Sequence, residues 1–183
     1  MTRCLRYAVS VVALLAACSD PERAPRAELD DDTFEESGGD VYRVEVDENL
    51  ILQAARNYAT QLERFTEHPE LSETHADAAS VQVWGTPGLS ERFHSVDPDD
   101  PSQVVSFPER THIVKEHLGT TGEPIGLTMM YKAPPGYNPV GGDWFWARVV
   151  GETVTHVGRV NFCLECHSAA INSDFVIGFG KSE

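Results

Sequence analysis

Residues 144–160 read WFWARVVGETVTHVGRV. Aromatic and β-branched residues fill two stretches, 144–150 and 153–160, and these residue types favour a pleated, half-buried surface. Gly151-Glu152 between them fits a tight hairpin turn. An antiparallel pair is expected here, and the same period of two runs back along the chain. Further strands are expected over 80–84, 91–96, 111–118 and 126–132. Gly, Pro, Asn and Asp clusters such as GTPG, DPDDP, GTTGEP and APPGYNPVGGD separate them.

Before residue 70 the period changes. Leu50, Ala54, Tyr58, Leu62 and Phe65 recur at helical spacing behind Asp47, a good N-cap, and His68-Pro69 closes the run. One helix is expected from Asp47 to about Glu67, with a shorter helical or irregular piece over 71–79. The fold class expected for 41–183 is α+β: an antiparallel sheet with the N-terminal helix packed on it.

The front of the chain is of another kind. A short basic start (Arg3, Arg6) precedes the apolar run YAVSVVALLAA, residues 7–17. That run is shorter than the roughly 20 residues a membrane span needs, and it fits a secretory signal peptide, residues 1–17. Leu15-Ala16-Ala17-Cys18 resembles a bacterial lipobox, which implies cleavage before Cys18 and lipid attachment to it. The expected location is therefore the periplasm, with the membrane reached only through that lipid. Residues 18–40 are rich in Asp, Glu and Pro and are expected to stay a disordered tether, spanning about 25 Å as coil. A net charge of −15 argues against nucleic acid as a partner and is compatible with a cationic redox partner.

The chain has four cysteines. On that expectation Cys4 would leave with the signal peptide and Cys18 would carry lipid, so the mature domain would keep Cys163 and Cys166. These stand in Cys163-Leu164-Glu165-Cys166-His167, the C-x-x-C-H pattern of c-type haem attachment. Two intervening residues place both thiols along one porphyrin edge, and the next residue delivers an imidazole to the iron. Other chemistries compete for the motif. A thioredoxin-like pair needs a βαβ unit that the strand pattern does not contain. Zinc needs a fourth ligand, from His68, His75, His94, His112, His117 or His156. A simple disulfide is the third. An electron carrier would want a second axial ligand; Met129 and Met130 are adjacent in a strand, so only one of them can face a haem.

Four segments, VKEH (114–117), GLTMMYK (126–132), GYNPVGGDWFWARV (136–149) and CLECHSAAINSDFVI (163–177), occur in an order that resembles the cytochrome P-460 family, whose gas-binding branch is cytochrome c′-beta. The resemblance covers roughly residues 80–180. It implies a mainly antiparallel β domain, one c-type haem, a homodimer, His167 as the iron's proximal ligand and an open distal side. The ligand it implies is hydroxylamine or nitric oxide, with a partner cytochrome taking electrons. In the hydroxylamine-oxidising branch a lysine is bonded to the porphyrin rim, and Lys115 matches it. A distal arginine precedes a V-D-P segment there, and Arg92 matches. The distal carboxylate of that branch is replaced here by Thr128. Threonine hydrogen-bonds but is no base at neutral pH, so hydroxylamine oxidation is expected to be weak or absent unless His94, Glu116 or His117 substitutes. Asp174 is expected to fix the segment after the motif, and Trp144, Phe145 and Trp146 to build core and haem wall.

Overall fold

The computed structural model describes residues 44–72, 75 and 78–179. The expected signal peptide, the acidic tether and Cys18 lie outside the described residues.

Asp47 caps helix α1 (Glu48–Arg56), its carboxylate accepting from the Leu50 N–H at 3.0 Å, as expected for an N-cap. The helix buries Ile51 and Ala55, while Leu50 is 63% exposed, so the apolar face lies one residue on from the expected one. The helix also ends early. It gives way to α2 (Tyr58–Gln61) and the short strand β1 (Glu63–Arg64). Phe65 is the reason: its N–H donates to Val83 O at 2.8 Å, and its ring joins a different core cluster from Ile51 and Ala55. One straight helix could not serve both.

The remaining strands and α-helices are β2 (Glu70–Leu71), β3 (Ser80–Gly85), α3 (Ser90–His94), β4 (His112–Leu118), β5 (Pro124–Lys132), β6 (Trp144–Val150), β7 (Thr153–Gly158) and α4 (Asn161–His167), with 3-10 turns at Pro139–Gly141 and Ser168–Ser173. The strands form one seven-stranded sheet in the order β1-β3-β4-β5-β6-β7, with β2 also on β3, and every pairing is antiparallel. The β6–β7 hairpin turns at Gly151-Glu152, where Gly151 takes φ 54°. A tight turn of this hand needs such a left-handed residue. The expected strand over 91–96 is instead α3. Phe93 and Val96, three apart, both bury in one cluster, and the Phe93 N–H donates to Leu89 O at 2.9 Å.

The sheet has two different faces. On one, Val114, Leu127, Met129, Phe145, Ala147 and Val149 pack with Ile51 and Ala55 of α1. On the other, Val83, Ile113, Met130, Trp144 and Trp146 pack with Phe93, Phe175 and the partly buried Cys163 and Leu164 of α4. Strand alternation does the sorting. Met129 and Met130 therefore part company as expected, one into each core. Glu116 turns to the α1 side, where the Tyr58 hydroxyl donates to Oε1 and Trp84 Nε1 donates to Oε2 at 3.2 Å. Burial, and then that carboxylate, push the Tyr58 hydroxyl pKa up. Among the described residues no helix is long and apolar enough to cross a membrane.

Candidate functional site

Helix α4 holds Cys163, Cys166 and His167 at spacings of three and four, which places them on one side of it. All three line one cavity together with residues of the sheet. The cavity measures about 180 Å³, or about 1050 Å³ with the space open to solvent at its mouth. Both thiols are free; Cys166 is exposed and Cys163 is half-buried. Burial pushes the Cys163 thiol up to about 11, so it is a neutral thiol rather than the thiolate of a redox-active pair.

His167 is fixed by two contacts. Its Nδ1 lies 2.6 Å from Phe175 O. A carbonyl only accepts, so Nδ1 carries the hydrogen and Nε2 is left with its lone pair. Its ring meets the Trp146 ring edge-on at 4.5 Å. Burial is the main reason its pKa falls to about 4, and Lys115 adds to the fall.

The floor of the cavity is the sheet. Strand register sets Lys115 opposite Thr128, Thr128 opposite Arg148 and Arg148 opposite His156. This polar row lines the cavity, and the row Ile113, Met130 and Trp146 beside it supplies an apolar wall. His117 lies on the same face, its Nε2 3.2 Å from Thr128 Oγ1. His75, from the segment between β2 and β3, brings its ring to 5.0 Å from that of His117. No Asp or Glu lines the cavity among the described residues. Desolvation lowers the Lys115 ammonium to about 8, although Phe179 offers its ring face at 5.3 Å.

No family model and no curated protein matches the chain.

The expected site residues thus divide. Cys163, Cys166, His167, Lys115 and Thr128 come together, and β4 lies inside the sheet, so Lys115 is no solvated edge-strand lysine. Arg92 does not join them. It sits exposed on α3 and donates from Nη1 to Ser106 O at 2.6 Å, because a helix replaces the strand that would have aimed it. His94 likewise turns away, its Nε2 donating to Phe65 O at 2.7 Å. Glu116 is on the opposite face of the sheet. Of the residues named to replace the carboxylate, His117 alone lines the cavity. No three His, Cys, Asp or Glu groups converge to hold a metal ion directly among the described residues.

Sequence reasoning missed Arg148, although the signal was present: in an alternating strand it shares a face with Trp144 and Trp146. It also passed over His75 except as one of six zinc candidates, since no periodic pattern surrounds it.

The cavity imposes a pH dependence on the polypeptide free of any bound group. Desolvation first, then Lys115 and other neighbouring cations, lowers His75 to about 3, and desolvation and Lys115 lower His117 to about 4. Unfolded histidines titrate near about 6.5. Between those values the unfolded chain binds more protons than the folded one, so stability falls as pH falls. The melting temperature should drop from about pH 6.5 toward pH 4, and an H75Q/H117Q variant should show a shallower drop. An unchanged slope in that variant would contradict this account.

Proposed function

We propose that the chain is an exported c-type haem protein that binds a small nitrogen ligand, nitric oxide or hydroxylamine, at an open iron position. The observation that carries the proposal is the placement of both C-x-x-C-H thiols and a tautomer-fixed His167 on a single cavity. Cys163 and Cys166 would hold haem through thioether bonds and His167 would bind its iron through Nε2. The donor set fits: two free thiols, an imidazole acceptor, and an apolar wall of Ile113, Met130 and Trp146 for a flat hydrophobic ring. When bound, haem would supply a redox-active iron able to take a small ligand. The similarity of the four sequence segments to the cytochrome P-460 family points the same way, and the lipobox-like start supports a periplasmic, lipid-tethered form.

The chain's own residues favour binding over turnover. Oxidising hydroxylamine removes protons with the electrons, and that step wants a base with a pKa near the working pH. Thr128 cannot accept a proton, His75 and His117 are held at about 3 and about 4, too weakly basic to serve well, and Lys115, at about 8, is mostly protonated at neutral pH. Lys115, Thr128 and Arg148 can instead donate hydrogen bonds to an oxygen or nitrogen in the cavity. The lowered Lys115 amine is partly neutral at mildly alkaline pH, the form a bond to the porphyrin rim would require. A second reading, an electron carrier with two axial ligands, is favoured by one observation: His75 and His117 reach the same cavity.

Absorption spectra of the mature chain, produced with haem-attachment machinery, separate these readings. The proposal expects a coloured protein whose ferric and ferrous spectra shift with nitric oxide, with slow or no steady oxidation of hydroxylamine. Mass spectrometry of the Lys115 peptide then reports any porphyrin bond. Spectra that ignore both ligands would leave the electron carrier, and a colourless matured chain would end the haem reading.

A further inference from the structure

Asp174 does not line the cavity, yet it organises the turn that follows α4. Its Oδ1 accepts from Lys132 Nζ at 2.5 Å, its Oδ2 accepts from the Phe107 N–H at 2.8 Å, and its carbonyl accepts from Trp144 Nε1 at 2.7 Å. Lys132 in turn donates to Gly142 O at 2.8 Å and stands 4.9 Å from the centre of the Trp144 ring. The two charged side chains are only 16% and 13% exposed. Such a pair keeps its geometry because water competes little for either partner.

What this cluster holds is an unusual backbone. Asp174 and Phe175 both adopt left-handed conformations, with φ 56° and 62°. Consecutive non-glycine residues rarely do so, and they persist only where their surroundings over-determine them. The second of the pair carries the carbonyl that accepts from His167 Nδ1 at 2.6 Å. Gly142 completes the fit, since a Cβ there would come within 2.6 Å of the Phe175 ring.

We infer that the Lys132–Asp174 ion pair is the positioning device for His167: by locking residues 174 and 175 in left-handed conformations, it keeps the Phe175 carbonyl on Nδ1 and so selects the tautomer with a free Nε2. Lys132 and Asp174 act through the backbone and touch neither the imidazole nor the cavity. A carbonyl hydrogen-bonded to the far nitrogen of a ligating imidazole orients the ring and raises its basicity as a ligand. The consequence at iron rests on the haem reading above; the tautomer itself does not.

The test uses the full mature chain in two forms, made with and without haem-attachment machinery, as wild type, D174N, K132M and K132R. In the haem-free form, ¹⁵N shifts of the His167 ring report which nitrogen is protonated. Wild type and K132R should show Nδ1–H, and D174N and K132M should show a mixture with Nε2–H. In the haem-bearing form the reduction potential should shift upward in D174N and K132M and return in K132R, because a less basic imidazole stabilises ferric iron less. A role confined to stability would lower the melting temperature without moving the tautomer or the potential. D174N and K132M chains that fold and keep the wild-type ¹⁵N shifts would overturn the inference. If wild type takes up no haem, the proposed function fails while the ¹⁵N comparison still decides this one. D174N keeps the shape of the side chain, so a folding failure confined to K132M leaves that comparison in hand.

Discussion

Alanine at Trp144 is expected to cost about 3–5 kcal/mol of stability, the range for large aromatic side chains deleted from a core. The residue is fully buried at 0% exposure, and its ring packs 6.2 Å from that of Phe107. Truncation empties that volume and strips the Asp174 carbonyl of its indole donor. It also removes the ring face beneath the Lys132 ammonium, a contact worth about 0.5–2 kcal/mol. Set against a total of about 5–15 kcal/mol for a typical domain, the loss is a large share of the stability of the fold. W144F separates the terms: it keeps most of the packing and loses the donor, and should cost about 1–3 kcal/mol. Urea unfolding monitored by circular dichroism measures both. A W144A loss under about 1 kcal/mol would mean that this layer does not hold the domain together.

The second large effect is chemical. A C163A/C166A chain passed through haem-attachment machinery is expected to carry no covalent haem, read as loss of the added mass and of all colour after acidic organic extraction. Each single variant should keep one thioether and give a lower yield. Cys166 is exposed and Cys163 is only half-buried at the margin of one core cluster, so the polypeptide should still fold, and its circular dichroism should match wild type. That contrast makes the result diagnostic: the fold survives and the cofactor is lost. Colour that resists extraction in the double variant, with no haem mass on the Lys115 peptide, would show that the thiols do not hold the group.

Period two was legible wherever a strand was long and its two faces differed in kind. In β6, Trp144 and Trp146 face one core and Phe145 and Ala147 the other, so the hairpin that ends at Gly151 could be read directly. Short elements were not legible. Residues 90–94 form a helix of five residues, too brief for periodicity to separate from a strand, and Arg92 was misplaced with it. The helix from Asp47 was overextended because Tyr58, Leu62 and Phe65 keep helical spacing while serving different cores. At the site, local sequence gave the cysteines and His167. The floor beneath them is a product of register: Lys115, Thr128, Arg148 and His156 are distant in sequence, and only cross-strand pairing makes them neighbours.

Strand β4 alternates opposing chemistries along its length. Lys115 and His117 project to one side and Glu116, between them, to the other. Because successive side chains point oppositely, sliding this strand by a single position would exchange the two sets. The acid would enter the cavity and the bases would meet Tyr58 and Trp84. The clamp that those two rings place on the carboxylate thus acts as an indexing pin. It settles whether a carboxylate or the Lys115 amine and the His117 imidazole line the cavity.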